Sequence, residues 1–366
     1  MLSLFAVVCI VYVPFFGNPF VFDDLLFFSG NIPESFTHSL FQLQLRWLSN
    51  ASLGWTATIF SDVIPHPFRV GNTLLHTANV ILLFFLLRQL ITAAVRKDDI
   101  PSPDNWGAWF GALIFACHPV AVYAVGYVVE RSILMATLFS LVMQLAYLRG
   151  LLTGEKRWLV VAVFAYFLAC FSKEHSVMTI ALLAAQTFLF SKKIVAGKWP
   201  LIATWLALLA VAVLLIVVFM HEKGALGITY EPMAANSFSQ HGIVESSSML
   251  HMLSALTQAG LFFKYLLLWW IPNPAWMSVD MREYFVASLS AWQGWLGAIG
   301  FTVYGILGGW LLCQRGWLGL VGLALLYPWL QFMVEFPAIR GAGTFRALPQ
   351  LFVDAGHDAI YSVVAG

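Results

Sequence analysis

The chain carries little charge, since only 10% of its 366 residues are Asp, Glu, Lys or Arg, against roughly 25% in globular proteins. Hydrophobic residues make up 60% of it, which is too apolar for a soluble protein of this length. The 19 basic and 18 acidic residues nearly cancel, so the net charge of +1 gives no reason to expect a nucleic-acid partner. The composition predicts an all-α polytopic membrane protein.

The sequence also lacks the usual signatures of disulfide frameworks, metal sites and nucleotide binding. No P-loop, GxGxxG or nucleophile elbow is present. The cysteines lie within apolar runs and have no C-x-x-C spacing, so we interpret them as small hydrophobic residues. They are Cys9, Cys117, Cys170 and Cys313.

Apolar runs mark the predicted membrane crossings, each of which needs about 20 residues. Basic residues fall in short loops that alternate along the chain, as expected of cytoplasmic turns. The apolar run 251–271 would reverse the side of Arg315 if it crossed, so we predict a re-entrant or interfacial helix there. The nine predicted crossings are 1–16, 70–95, 107–129, 132–149, 158–173, 176–191, 200–220, 286–313 and 317–338.

Two adjacent carboxylates, Asp23 and Asp24, follow the first crossing and precede an apolar run. Adjacent residues point in different directions, so the pair predicts separate roles, one as a general base and the other binding a cation or orienting the loop. The alternative is a solvated helix cap. If a metal binds, these are its expected ligands, and Mg²⁺ or Mn²⁺ is the expected ion.

A polar stripe begins the second crossing at Arg69, Asn72, His76 and Asn79. Offsets of three and four residues put these side chains on one helical face. The stripe either lines a cavity or holds helices together through hydrogen bonds.

Further charged groups lie at the predicted outer ends, where an ionisable side chain at membrane depth costs about 2.5–3.5 kcal/mol. Glu130 precedes Arg131, and Lys173 precedes Glu174. Each adjacent pair either neutralises itself or provides a cation for a phosphate. The predicted convergence of these groups with the twin aspartates and Arg340 favours the phosphate interpretation.

The order of these motifs resembles the membrane domain of GT-C glycosyltransferases, and specifically the TMTC-type protein O-mannosyltransferases and their bacterial relatives with tetratricopeptide repeats. The resemblance covers roughly residues 20–340. The matching segments are Phe22-Asp23-Asp24, Arg46-Trp47-Leu48-Ser49-Asn50, Phe68 to Asn79, His118-Pro119 to Ser132, Lys173-Glu174-His175, and Pro272-Asn273-Pro274 with Ser278-Val279-Asp280.

The resemblance implies a GT-C-like bundle that moves a sugar from a polyprenyl-phosphate donor to a protein or glycan acceptor. In the family that the chain resembles, the catalytic acid lies in the first outer loop, and Asp23 and Asp24 are at the corresponding positions of this chain. We expect an inverting reaction at the periplasmic face of a bacterial inner membrane, although an endoplasmic-reticulum membrane satisfies the same topology. The phosphate ligands are predicted to be Arg131, Lys173 and Arg340, and the other pocket residues Arg46, Arg69, Asn72, His76, His118, Glu130 and Glu174.

The chain departs from the family at several points. Glu130 and His175 stand where relatives commonly have Gly, and residues 341–366 do not match the family's continuation. We interpret this tail as the product of a frameshift near residue 341, with later helices and any repeat domain missing from a domain that spans 1–340. Two other functions stay open, a secondary transporter and an inactive membrane scaffold.

Overall fold

The computed structural model describes residues 1–21, 23–29, 44–60, 63–94, 105–223, 247–273, 286 and 288–337. Within these ranges the chain forms helices and no strand, which confirms the all-α class. In chain order the α-helices are α1 (Leu2–Tyr12), α2 (Asp23–Ser29), α3 (Trp47–Phe60), α4 (Pro65–Ala94), α5 (Trp106–Cys117), α6 (Ala121–Gly126), α7 (Arg131–Thr153), α8 (Lys156–Ser172), α9 (Thr179–Leu189), α10 (Lys198–Lys223), α11 (Ser247–Trp270), α12 (Trp292–Gln314) and α13 (Gly316–Phe332).

Six helical segments in the described ranges are long and apolar enough to cross a membrane. The longest, α4, has 30 residues. At 1.5 Å per residue it is about 45 Å long, against about 30 Å of hydrocarbon core. The chain is therefore a multi-pass membrane protein, but nine crossings are not confirmed, because α8 and α9 have only 17 and 11 residues. The six segments are Pro65–Ala94, Val128–Thr153, Lys198–Glu222, Ser248–Trp270, Trp292–Gln314 and Gly316–Glu335.

The structure departs from the predicted crossing 107–129 and leaves the placement of the run 251–271 open. The run 107–129 is not one helix, because α5 ends at Cys117 and the short α6 begins only at Ala121. Pro119 lacks an amide hydrogen and disfavours a helical residue before it, which explains the break at His118. The run 251–271 lies in α11, whose 24 residues also suit a crossing, so its interfacial placement stays a prediction.

The chain divides into two compact units. In unit 2, α11 and α12 approach closely at two glycines, since a Cβ on Gly297 would lie 2.8 Å from the Gly260 nitrogen. Thr257 Oγ1 accepts a hydrogen bond from the Val286 amide at 2.9 Å. Unit 1 is Met1–Gly224, Trp269–Pro274 and Tyr304–Val334, and unit 2 is Ala225–Leu268, Ala275–Val303 and Glu335–Gly366.

The hairpin of α7 and α8 is at the centre of unit 1. Gly154 ends α7 in the left-handed conformation, with φ 76°, as is common at helix C-termini. The two helices pack so closely that a Cβ on Gly150 would lie 2.8 Å from Leu159 Cδ2. Because the helices are antiparallel, the start of α7 at Arg131 and the end of α8 before Lys173 lie at the same end of unit 1.

A second close hairpin in unit 1 joins the C-terminal part of α12 to α13. Its turn has positive φ at both Arg315 and Gly316. A Cβ on Gly322 would lie 2.7 Å from the Gly308 carbonyl oxygen. Small residues at these positions let the two backbones meet, as in many membrane helix pairs.

One end of unit 1 gathers the basic turns, and we call it the basic end. The Val195 amide donates to the Leu151 carbonyl at 3.0 Å, which joins the turn after α9 to the end of α7. Lys193 Nζ donates to the Ala93 carbonyl near the end of α4 at 2.6 Å. The charged residues of this end are Arg149, Glu155, Lys156, Arg157, Lys192, Lys193, Lys198 and Arg315.

Candidate functional site

The opposite end of unit 1 holds most of the predicted site residues, and we call it the paired-charge end. It contains the start of α2, the start of α3, the start of α7 and the segment that follows α8. Its charged side chains described by the structure are Asp24, Arg46, Arg69, Glu130, Arg131, Lys173, Glu174 and Glu222, the last of which accepts a hydrogen bond from the Leu45 amide at 2.9 Å.

Asp24 lies in α2 and is buried against the segment that leads into α7. Its Oδ1 accepts a hydrogen bond from the Val129 amide at 2.9 Å, and its Oδ2 accepts one from the Val128 amide at 3.2 Å. A carboxylate in this position satisfies amides that the helix start leaves unpaired and interacts favourably with the helix dipole. Asp24 therefore fastens α2 to the backbone just before Arg131.

Hydrogen bonds and a nearby positive charge partly offset the effect of burial on Asp24. Burial raises the pKa of its carboxyl above the ordinary value, while the amides of Val129 and Val128 and the charge of Arg69 act in the opposite direction. These contacts are the ones expected of an aspartate that orients the loop, and the division of roles between Asp23 and Asp24 stays a prediction. Asp23 begins α2, and its side chain lies outside the described part of the structure.

The predicted divalent cation finds no ligand in Asp24. Both of its carboxylate oxygens are engaged by amides, and the side chain has 0% exposure. A hard cation such as Mg²⁺ requires accessible oxygen ligands. Within the described ranges there is no group of three or more His, Cys, Asp or Glu suited to a metal ion. The divalent cation stays a prediction.

The charged pairs at this end are crossed between segments instead of being formed by chain neighbours. Lys173 Nζ lies 2.6 Å from Glu130 Oε2, so the segment after α8 is paired with the residue before α7. Arg46 binds Glu174 through Nε at 3.0 Å and Nη2 at 2.6 Å. Of the two alternatives for these residues, direct pairing between the chain neighbours Glu130 and Arg131, and between Lys173 and Glu174, is therefore wrong, while the phosphate alternative stays a prediction.

The pair of Arg46 and Glu174 is the more strongly held of the two. Burial alone would raise the pKa of Glu174, but the hydrogen bonds and charge of Arg46 outweigh it and lower the pKa to about 2. Burial, followed by the charge of Lys173, lowers the pKa of His175 to about 4. At neutral pH Glu174 is therefore ionised and His175 is neutral.

Arg131 is buried, with 3% exposure, and is held by neutral oxygen atoms. Its Nε donates to Asn72 Oδ1 at 2.8 Å, and its Nη1 donates to Thr56 Oγ1 at 2.8 Å. The Ser52 and Phe68 carbonyls accept two further hydrogen bonds at 3.0 Å each. Arg131 thus joins α3, α4 and α7, and its predicted phosphate-binding role would require these contacts to be exchanged.

The polar stripe of α4 holds helices together through hydrogen bonds, which is one of the two alternatives that the sequence left open. Each of its members contacts main-chain carbonyls of other segments, and all are buried. Arg69 donates to the Phe15, Asn18 and Pro19 carbonyls, Asn72 to those of Val125 and Val128, and Asn79 to that of Leu134, while His76 Nε2 lies 3.4 Å from the Ala116 carbonyl. The stripe therefore connects α4 to the segments around α1, α5, α6 and α7.

His118 lies at the break between α5 and α6. Its Nδ1 accepts a hydrogen bond from the Val120 amide at 3.3 Å, and its Nε2 is 3.0 Å from the Trp269 carbonyl. Because Nδ1 is an acceptor, the neutral ring carries its proton on Nε2 and donates to Trp269. His118 thus has both ring nitrogens occupied by backbone groups.

Sequence reasoning missed two contacts that shape this end. Ser49 Oγ donates to the Ser172 carbonyl at 3.0 Å and so ties α3 to the end of α8. Tyr123 Oη donates to Glu130 Oε1 at 3.3 Å. The offset of seven residues between Tyr123 and Glu130 was visible, but the turn at Tyr127 that brings them together was not.

Three predicted features fall on residues that the structure does not describe. Arg340, the segment 278–280 and the tail 341–366 lie outside the described ranges, so their predicted roles stay predictions. No protein-family model, curated protein or solved structure matches this chain.

Proposed function

We propose that this protein is a membrane glycosyltransferase that takes a sugar from a polyprenyl-phosphate donor and adds it to a protein or glycan hydroxyl. The observation that carries the proposal is the binding of Asp24 to the backbone immediately before Glu130, which in turn pairs with Lys173. Helix α2, which carries both aspartates, and the partly accessible ammonium group of Lys173 are thereby held next to the same segment, Val128 to Glu130. Sugar transfer from a lipid phosphate requires both groups.

The twin aspartates divide the work in this proposal. Asp24 is buried and engaged by two amides, so it positions α2. Asp23, its neighbour, is then the general base that removes the proton from the acceptor hydroxyl. Adjacent helical residues point in different directions, which allows one carboxylate to be fixed while the other meets substrate.

The cations also separate into two kinds. Arg131 and Arg69 are at most 4% exposed and donate to oxygen atoms of the protein itself, so they support the architecture. The side chains of Lys173 and Arg46 are 15% and 40% exposed. We assign the donor phosphate to Lys173, with Arg46 beside it, because a bound phosphate needs a cation that it can reach.

The proposed reaction is an inverting displacement at the anomeric carbon. The acceptor oxygen loses its proton to Asp23 and forms a bond to that carbon, while the bond between the carbon and the phosphate oxygen breaks. The electron pair of the broken bond stays on the lipid phosphate, which gains negative charge. A cation at the phosphate therefore stabilises the transition state more than the ground state.

The orientation of the protein is part of the proposal. Basic loops are retained on the cytoplasmic side, so we place the basic end there. The paired-charge end then faces the periplasm, if the membrane is a bacterial inner membrane.

The decisive experiment is transfer of labelled sugar by the full chain, purified in nanodiscs, from a polyprenyl-phosphate sugar to a peptide or glycan. We expect Asp23→Asn to lower the rate at least about 100-fold, the usual contribution of a general base. Glu155→Gln, a change at the basic end, is the matched control and leaves the rate unchanged. Movement of sugar across liposomes without covalent product would instead support the transporter.

A further inference from the structure

The two ion pairs of the paired-charge end lie next to each other in the chain but are held differently. Glu174 receives two hydrogen bonds from Arg46 in the planar, bidentate arrangement that gives strong carboxylate binding. Its neighbour Lys173 makes a single contact of 2.6 Å with Glu130. The pair of Arg46 and Glu174 therefore fixes the backbone beside Lys173 while leaving the lysine pair easier to exchange.

Lys173 has unused capacity to bind an anion. Its ammonium group has three donors, and Glu130 is its one hydrogen-bond partner among the residues that the structure describes. The residue has extended backbone, with φ −156° and ψ 131°, between α8 and the turn Glu174–Met178. A helical turn therefore does not confine its side chain.

Glu130 has alternative partners within reach. Tyr123 Oη donates to its Oε1 at 3.3 Å, and Ser132 Oγ donates to its Oε2 at 3.4 Å. Both contacts are longer than a strong hydroxyl–carboxylate hydrogen bond, so they have room to shorten. Glu130 also precedes the first residue of α7, where the helix dipole favours a negative charge.

We propose that Glu130 occupies the phosphate position of Lys173 until the lipid-linked phosphate displaces it. The phosphate then binds the Lys173 ammonium group, and the Glu130 carboxylate forms shorter hydrogen bonds with the hydroxyl groups of Tyr123 and Ser132. This inference rests on the proposed function and deepens it, since it adds a group of the chain that competes with the substrate for its cation.

The charges balance in this exchange. A sugar-loaded lipid phosphate is a diester with one negative charge, equal to that of the Glu130 carboxylate it replaces at Lys173. After transfer, the leaving monoester carries about −1.5 to −2 charges at pH 7 and binds the lysine more tightly. Return of Glu130 to Lys173 opposes this tight binding and so promotes release of the lipid product.

The test is binding of a polyprenyl monophosphate without sugar to the full chain in phosphatidylcholine nanodiscs. Removing the competing charge with Glu130→Gln should tighten binding about tenfold, which corresponds to roughly 1.4 kcal/mol. Lys173→Gln should weaken binding, and the double variant should match Lys173→Gln. A purely structural role for Glu130 predicts weaker binding in every variant, because damage to a site does not improve it.

The outcomes separate this inference from the proposed function. Unchanged, weaker or absent binding in Glu130→Gln overturns the exchange, even if labelled sugar is still transferred in an Asp23-dependent manner. Tighter binding without any sugar transfer by the unaltered chain keeps the anion exchange and removes the glycosyltransferase. If Glu130→Gln lowers the thermal midpoint, Glu130→Asp replaces it, since the shorter side chain loosens the 2.6 Å contact while the turn keeps its charge. Glu155→Gln is the control.

Discussion

The two ends of unit 1 stabilise their cations by different means. At the basic end, Arg149 and Arg157 lie over the ring of Trp158, with guanidinium carbons 4.5 and 5.6 Å from its centroid. The carboxylate of Glu155 binds Arg157, which is 73% exposed. This end thus relies on aromatic faces, a carbonyl oxygen and an exposed ion pair between residues two apart in the chain.

At the paired-charge end, the accessible cations face carboxylates from other segments. Lys173 and Glu130 are about equally sheltered, with side-chain exposures of 15% and 16%. Burying such groups costs desolvation energy that their attraction only partly repays. The orientation of a membrane protein is set by basic residues on the cytoplasmic side, and it does not require carboxylates on the opposite side. The paired-charge end thus contains costly groups that membrane insertion does not explain, which is the reason to place chemistry there.

The comparison fails if the two ends do not face opposite sides of the membrane, so accessibility is its most direct test. We expect Val63→Cys, near the start of α4, to react with a membrane-impermeant maleimide in intact cells. Lys192→Cys, in the exposed turn after α9, should react only after the cells are permeabilised. The background variant replaces the four native cysteines with alanine. Labelling of both positions from the same side would contradict the assignment.

Arginines at the two ends should differ in how much they contribute to stability. Arg131→Ala removes a buried side chain and leaves the Asn72 Oδ1 acceptor unpaired, so we expect a loss of about 4 kcal/mol in the free energy of unfolding. Arg149→Ala, at the exposed basic end, should cost less than about 1 kcal/mol. Thermal unfolding in detergent measures both. An Arg131→Ala protein with an unchanged midpoint but reduced lipid binding would restore the phosphate-binding role.

The contribution of Glu174 to stability should depend on pH in a way that no carboxylate of the basic end matches. Its pKa falls from 4.5 to about 2 in the folded chain, so its ionised form stabilises the fold above about pH 4.5. That contribution, roughly 3 kcal/mol, is lost as the pH falls from 4.5 towards 2. Glu174→Gln should therefore lower the midpoint at pH 7 and flatten its acid dependence.

The matched carboxylate for that experiment is Glu155, which pairs with an exposed arginine. We expect Glu155→Gln to change stability by less than about 1 kcal/mol at any pH, because exposed ion pairs contribute little. An equal acid dependence in both variants would show that the two ends do not differ electrostatically. Circular dichroism during thermal unfolding between pH 3 and pH 7 provides the measurement.

Much of the fold was accessible from the sequence because its signals are local. Hydropathy located the apolar segments, and helical spacing put Arg69, Asn72, His76 and Asn79 on one face, where each now contacts another segment. The helix break at His118 was not predicted, because a hydropathy average over a long window does not register one proline. The missing amide hydrogen of Pro119 could, however, have been read from the sequence.

The crossed ion pairs were not accessible in this way. Lys173 and Glu130 are 43 residues apart, and their contact depends on the antiparallel packing of α7 and α8. Adjacent residues attract attention in a sequence, yet they point in different directions and seldom bind one another. Pairing between segments is set by the depth at which each helix ends, and that depth follows from tertiary packing.

The close hairpin between α12 and α13 has a consequence for biosynthesis. Its turn at Arg315 and Gly316 is very short, and the contact of Gly308 with Gly322 leaves no space for a methyl group. Two helices so tightly coupled bury each other's backbone from the moment they meet, so we expect them to leave the translocon together. Insertion of a reporter or protease site between them should therefore stall assembly during synthesis instead of merely loosening the finished protein.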